Sequence, residues 1–369
     1  MNRMLILLPV ILVMAVIVYG QSGRVLSFYG VAVRLRKIRA VRLIFSVLLC
    51  LLCFQWRLSG MFLIHIIVVF ALADVIASLL CCMLKRRSSG KVYKIIRGAG
   101  RSGIIPFLIV CLMFGYGAYN MTRLVRTEYT VTSDKLLQNY RIILITDTHY
   151  DTIQNPDVIK NKIEEMNALE PDIIVLGGDI VEEGTSKEAM QEIFQVLGSI
   201  EAKYGTYYVY GNHDKQPYTE QPAYTEKELE QAILSNNITI LKDQWITIND
   251  DLLLAGRDDA AWGNQSDRAL VEELLQGADR ERYMIMLDHQ PIEAEENDSQ
   301  GVDLELSGHT HAGQIFPVGY ISEWTGTLNY GEYQRGNCKV IVSSGATGWG
   351  YPIRTEGKCE YVVIDLKNK

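Results

Sequence analysis

The sequence predicts two joined parts: an all-α module of four transmembrane helices, then an α/β domain built as a two-sheet sandwich flanked by helices. Three observations lead there. Up to Asn120 there are 15 Lys plus Arg against the single acid Asp74, whereas from Met121 onward 21 bases face 42 acids. The basic part holds the long apolar runs. The acidic part alternates short β-rich runs with helical patterns, which implies parallel strands joined by helical crossovers. Finally, five of those β-rich runs stop at side chains able to bind metal ions.

Four apolar stretches fill the first part, at residues 4–19, 41–54, 61–84 and 103–119. The third is long enough to cross a hydrocarbon core, which takes ~20 residues, and the others are borderline. No small-residue cleavage site follows the first stretch, so it reads as a retained helix rather than a signal peptide. Arg24, Arg34, Arg36, Lys37 and Arg39 lie between the first two stretches, and Arg57 alone between the second and third. Lys85, Arg86, Arg87, Lys91, Lys94, Arg97 and Arg101 lie between the last two. Short loops rich in Lys and Arg stay in the cytoplasm. The pattern therefore predicts a multi-pass protein of the cell membrane with its N-terminus and acidic domain extracytoplasmic. His65 and Asp74 fall on opposite faces of the third helix, about two and a half turns apart, and read as helix-packing groups. Cys50, Cys53, Cys81, Cys82 and Cys111 read as small side chains of the apolar stretches rather than zinc ligands.

Residues 121–139 show no strong periodicity and are expected to link the membrane module, 1–120, to the domain, 140–369. From Tyr140 the pattern reads strand, helix 156–169, strand 172–176, helix 186–200, strand 207–210 and helix 225–236. Strands follow at 238–241, 245–248 and 252–255, then a helix at 266–276 and four more strand-like runs. Cys338 and Cys359 sit in two β-rich runs that can pair as antiparallel neighbours and oxidise outside the cell, or stay as two buried thiols.

The run from Tyr140 to Ile145 suits a strand buried on both faces, and it ends at Asp147 and His149. Ligands of open α/β folds bind at that end of a strand. Four later runs end similarly, at Asp179, at Asn212, His213 and Asp214, at His289, and at His309 and His311. One such residue alone is usually a solvated or satisfied core group, but five of the chain's six histidines lie in these blocks. Oxygen and imidazole ligands without thiolate suit Mn, Fe or Zn, and the set suffices for two divalent ions.

Over residues 140–366 the blocks Asp147-Thr148-His149, Gly178-Asp179, Gly211-Asn212-His213-Asp214, His289 and Gly308-His309-Thr310-His311 resemble the calcineurin-like metallophosphoesterases in order and spacing. Asp258-Asp259, Ala312-Gly313-Gln314 and Tyr351-Pro352-Ile353-Arg354 resemble a membrane-associated subgroup of that family. The resemblance implies that Asp147, His149, Asp179 and His311 hold one metal and Asp179, Asn212, His289 and His309 the other, with Asp179 bridging. It leaves His213 to stabilise the transition state or protonate the leaving oxygen, with Asp214 as its orienting partner. Thr148, Tyr150 and Asp288 depart from the family's usual residues without removing a ligand. Asp288 either adds charge beside the second metal or points away along its strand. Asp258 and Asp259 are either site groups or turn residues.

Two function classes fit: a hydrolase of phosphodiesters, phosphomonoesters or pyrophosphates, and a metal-binding membrane regulator without turnover. A candidate acid that is not itself a ligand, His213, favours the hydrolase. The acidic domain makes nucleic acid an unfavourable partner, since phosphate backbones reward Lys and Arg. Tethering beside a bilayer points instead to a lipid head group or a cell-envelope phosphoester, while the sequence leaves the oligomeric state open.

Overall fold

The structure is a computed structural model that describes residues 3–54, 58–85, 91–260 and 268–369. Contacts divide it into residues 1–116 and 117–369. In the first unit lie α1 (Arg3–Phe28), α2 (Arg36–Cys53), α3 (Leu58–Lys85), α4 (Lys91–Ser102) and most of α5 (Ile104–Met121). Among the described residues three segments are long and apolar enough to cross a membrane: Pro9–Phe28, Leu58–Leu80 and Ile104–Met121. The expected count of four is thus corrected. α2 falls short because Arg36, Lys37, Arg39 and Arg42 occupy its first turns, and the basic loop before α5 is itself largely the helix α4.

The burial pattern of α2 is inverted. α2 buries Arg42, Ser46, Cys50 and Cys53 and exposes Leu43, Ile44, Phe45 and Leu48. The Arg42 guanidinium stacks 4.0 Å from the Tyr19 ring and donates to the Tyr19 carbonyl. Asp74 pairs with Arg24, and the His65 ring packs 5.3 Å from that of Phe114. An apolar cluster of Ala15, Val18, Cys50, Cys53 and Ile67 lies beside these polar groups, and the exposed aliphatic side chains outside make a surface suited to lipid rather than water.

In the second unit two six-stranded sheets face each other. The first has the order β1 (Leu124–Ser133), β12 (Cys359–Asn368), β2 (Tyr140–Ile145), β3 (Ile173–Leu176), β4 (Thr206–Tyr208), β5 (Ile238–Ile240). The second runs β10 (Gly331–Arg335), β11 (Cys338–Val342), β9 (Leu304–Ser307), β8 (Tyr283–Leu287), β7 (Leu252–Gly256), β6 (Gln244–Thr247). β2 to β5 are mutually parallel, as are β7, β8, β9 and β11. Strand alternation builds three layers of core. Ile142, Leu144, Ile173 and Val175 point between the sheets to meet Leu254, Ile285 and Leu306. Ile143, Ile145, Ile174 and Leu176 point outward beneath α8 (Lys187–Leu197) and α9 (Glu226–Leu234). Leu253, Met284 and Met286 on the opposite side are covered from α10 (Val271–Leu274) and α11 (Ala294–Ser299).

Most expected elements appear within a residue or two of their predicted bounds. The helix predicted at 156–169 is two short turns, α6 (Asp157–Lys160) and α7 (Ile163–Asn167). The helix predicted at 266–276 is the single turn α10 (Val271–Leu274): residues 268–270 are not helical, and 266–267 lie outside the described residues. One reading is overturned, and one that was left open is decided in favour of two buried thiols. Residues expected to be a featureless linker form β1, which pairs in parallel with β12 along its whole length; its alternating burial is half exposed, so it carries little apolar signal. Cys338 and Cys359 are not neighbours, because they open β11 and β12 in different sheets, and both are free. Alkylation of the denatured, unreduced protein should therefore label both residues, and a peptide map containing a 338–359 cross-link would contradict this packing.

Candidate metal centre

All the predicted site blocks sit where the parallel strands β2, β3, β4, β8 and β9 end, so both sheets deliver side chains to one edge of the sandwich. The chain turns sharply there. Asp147, His149, Asp179, His309 and His311 all have positive φ, of 53°, 36°, 51°, 69° and 50°. Each left-handed non-glycine residue costs roughly 1–3 kcal/mol, and persists because the surroundings over-determine it. The glycines beside them let the loops close: a Cβ on Gly211 would fall on the Asp179 backbone and carboxylate, and one on Gly308 on Asp147 and Thr146.

Among the described residues three groups of side chains could hold an ion, Glu182, Glu183 and His213 being one and the other two lying on these turns. Asp147, His149 and His311 present ligand atoms within 4.8 Å of one another, and Asp179, His289 and His309 do the same. One oxygen lies between these two groups: Asp179 Oδ2 is 3.1 Å from His289 Nε2 and 3.8 Å from His149 Nε2. His149 Nε2 and His311 Nε2 face each other at 3.2 Å, and His311 Nε2 is 3.4 Å from Asp147 Oδ1.

The other nitrogen is hydrogen-bonded in two of the rings, His289 and His311, and faces a carboxylate in a third. His289 Nδ1 donates to the Gly177 carbonyl at 2.8 Å, His311 Nδ1 to the Thr347 carbonyl at 3.2 Å, and His149 Nδ1 faces Glu182 Oε2 at 3.2 Å. Such outer contacts fix the tautomer that leaves an Nε2 lone pair for a cation. Asn212 Oδ1 and His289 Nε2 are buried with no hydrogen bond. Opposed lone pairs, orphaned buried acceptors and two buried carboxylates fit a pair of divalent cations.

The comparisons agree with this geometry. Residues 140–313 match the family described as calcineurin-like phosphoesterase. The chain carries a calcineurin-like metallophosphoesterase domain. An uncharacterized metallophosphoesterase of Helicobacter pylori J99 is 33% identical over 66% of this chain and 64% of its own. The Bacillus subtilis metallophosphoesterase YkuE is 27% identical over 69% of this chain and 90% of its own. A Danio rerio transmembrane protein with a metallophosphoesterase domain is 26% identical over 77% and 67%. The match thus spans less than two thirds of the Helicobacter protein.

Charge in the metallophosphoesterase domain is balanced internally. Burial would raise the Asp179 carboxyl, but the imidazoles of His289, His149 and His213 hold it well below the usual carboxylate range. Burial likewise opposes a charge on His289, and Asp179 outweighs it, raising that imidazole. Burial and the neighbouring His289 lower His309 to about 4, so it offers a neutral nitrogen at physiological pH.

Beyond the ligand groups the domain departs from the expected roles. Asp214 does not orient His213. Its buried carboxylate accepts from the N–H groups of Asp179 (2.9 Å), Ile180 (2.9 Å), Val181 (3.1 Å) and Gly211 (2.6 Å), which pin the loops after β3 and β4 together. The partner of His213 is Glu183, whose Oε2 lies 2.7 Å from Nδ1. Two adjacent glutamates after Asp179 were its only trace in the sequence. Burial would lower the His213 pKa, but Glu183 and Asp179 raise it overall. Its ring is flanked by Tyr218 and Trp349, with centroids 5.1 Å and 5.4 Å away.

Asp288 turns from the metal groups toward Arg268 at 3.1 Å and Arg257 at 3.6 Å. Asp258 pairs with Lys242 and Lys215 at 3.5 Å and 3.7 Å, and Asp259 accepts from Gln290 at 2.9 Å. Thr148 bonds the Ile180 carbonyl at 2.6 Å, and Tyr150 reaches Glu192 at 2.9 Å. Arg354, fully buried, donates to the His311 carbonyl at 3.1 Å and to that of Thr347. If Asp214 is a clamp, Asp214→Ala leaves several buried N–H groups unpaired at about 1–3 kcal/mol each. The thermal midpoint should then fall by about 6–12 °C or more, whereas a lower rate at an unchanged midpoint would restore the orienting role.

Proposed function

We propose that the chain is a membrane-anchored phosphoester hydrolase that holds two divalent transition-metal ions, of the Mn, Fe or Zn class, on Asp147, His149, Asp179, Asn212, His289, His309 and His311. The observation that carries this reading is Asp179 Oδ2 standing between the imidazoles of the two ligand groups. Two ions bound there supply positive charge to a phosphate and acidify water toward neutral pH. The chain's own residues do the rest. Glu183 fixes the Nδ1 proton of His213, leaving Nε2 to protonate a leaving oxygen. Tyr218 and Trp349 bracket that imidazole and exclude water from its flanks. A protein that only stored metal would not need this half-buried carboxylate–imidazole pair, which argues against the regulator reading. Asp179→Asn should lower metal content at both sites and activity on a generic phosphodiester together. His213→Ala should keep the metal and lose about 10²- to 10⁴-fold in rate. Retention of two ions and full rate in Asp179→Asn would refute the bridging role.

The apolar helices and the transmembrane protein of Danio rerio support a multi-pass anchor. With three crossings the two basic loops would lie on opposite sides, against the tendency of Lys and Arg to remain in the cytoplasm. The loop of residues 81–103 carries seven Lys and Arg against six in residues 29–57, so it is the one expected inside, which puts the catalytic domain outside. Substrates in reach are then lipid head groups or cell-envelope phosphoesters. Protease added to intact cells should remove a C-terminal tag; protection until lysis would place the domain in the cytoplasm.

A further inference from the structure

One surface of the catalytic unit is unlike the rest. Exposed large apolar side chains there mostly occur singly, as at Leu137, Leu234 and Leu270, which is ordinary for a soluble surface. Residues 316–324 break the rule. They include α12 (Val318–Trp324), and in them Phe316, Val318, Tyr320, Ile321 and Trp324 are all exposed, Trp324 by 88% and Tyr320 by 63%. Five such side chains within nine residues form a contiguous patch, and two carry the amphipathic rings favoured at membrane–water boundaries.

Hydrogen bonds tie this patch to the end of a membrane-crossing helix. The last turn of α5 folds with the catalytic unit, since the division of the chain falls at residues 116/117. There the Gly117 carbonyl accepts from Arg354 N–H at 3.0 Å, and Asn120 Nδ2 donates to the carbonyls of Arg354 and Gly357 at 3.1 Å and 3.0 Å. The residues between continue to α12. Thr355 Oγ1 accepts from Phe316 N–H at 2.9 Å, and the Glu356 carboxylate accepts from Gly319 N–H at 2.9 Å and Tyr320 N–H at 3.2 Å. The segment 354–357 therefore grips the exit of α5 and the start of α12 at once. On its inner side α12 backs onto the ligand loop: a Cβ on Gly313 would fall on the Gly319 backbone.

We propose that the 316–324 face is a lipid-contact surface, with Ile321 and Trp324 seated at the boundary of head groups and acyl chains beside the exit of α5. Continuity with the end of an apolar span selects the bilayer over a soluble partner or a second copy. Seated so, the turn bearing His311 lies just above the head groups, and a phosphoester reaches it from the membrane plane. The contact is independent of the phosphoesterase reading, because either can hold without the other.

The test uses the full chain in nanodiscs of phosphatidylcholine brominated on its acyl chains, comparing wild type with Trp324→Ser. Tryptophan emission in the wild type should include a component quenched by bromolipid and shielded from aqueous acrylamide, and the substitution should remove it. Trp324 is almost wholly exposed, so its loss does not threaten folding. A Trp324 component quenched by acrylamide alone would put the face in water. One quenched by neither agent would put it under a second protein copy. Either result overturns the proposal.

Discussion

The buried carboxylate of Asp214 is the constraint on which the site depends. Its oxygens collect N–H groups from both the β3 and β4 loops, and this lets Asp179 stay at a φ of 51°. Burial and the neighbouring Asp179 push the Asp214 carboxyl up to about 6, and the N–H donors of Gly211 and Val181 oppose that rise. The clamp works outward: Asp179 Oδ1 in turn accepts from His213 N–H at 2.8 Å, which places the candidate acid beside the carboxylate shared by the two ligand groups. A second anchor mirrors it across the sandwich. Asp147 accepts from His309 N–H with both oxygens at 3.1 Å, joining the first sheet's loop to the second's.

The ligand side chains were legible because two independent signals coincide at each. A continuous apolar run marks a buried parallel strand, and the first polar residues after it stand at the strand's carboxyl end. Role was less legible than position. Asp214 adjoins His213 in sequence, yet neighbouring side chains at a sharp turn diverge, and the backbone donors around Asp214 cannot be counted before the loops are folded. Glu183 lies in a polar stretch that reads as an ordinary helix approach. Arg354 could not be found from chemistry, since a lone Arg gives no hint that it will be fully buried against the carbonyls of the His311 turn.

The fold was read well where packing decides it and poorly where edges do. β2, β3 and β8 are buried along nearly their whole length and announce themselves. β1 sits at the sheet edge with exposed residues alternating through it, so only its pairing with β12 makes it a strand. The module shows the same limit for charge. Arg42 and Asp74 look prohibitive at membrane depth, but each has a partner on another helix of the unit, Tyr19 for one and Arg24 for the other. Buried charges are tolerated when paired.

The split in composition follows from two demands on one chain. A site that gathers two buried aspartates and a ring of imidazoles needs cations to be stable as a set, and acidic surroundings raise the local cation concentration. That same negative field repels an anionic substrate arriving through solution. A substrate confined to two dimensions is less exposed to this penalty, because the membrane holds it near the site whatever the field in bulk water. The segment 354–357 fits this economy of position: Arg354 braces the His311 turn from within while its backbone holds Gly117 and Asn120. A single stretch of chain thereby sets the ligand loop at a fixed place relative to the last turn of α5.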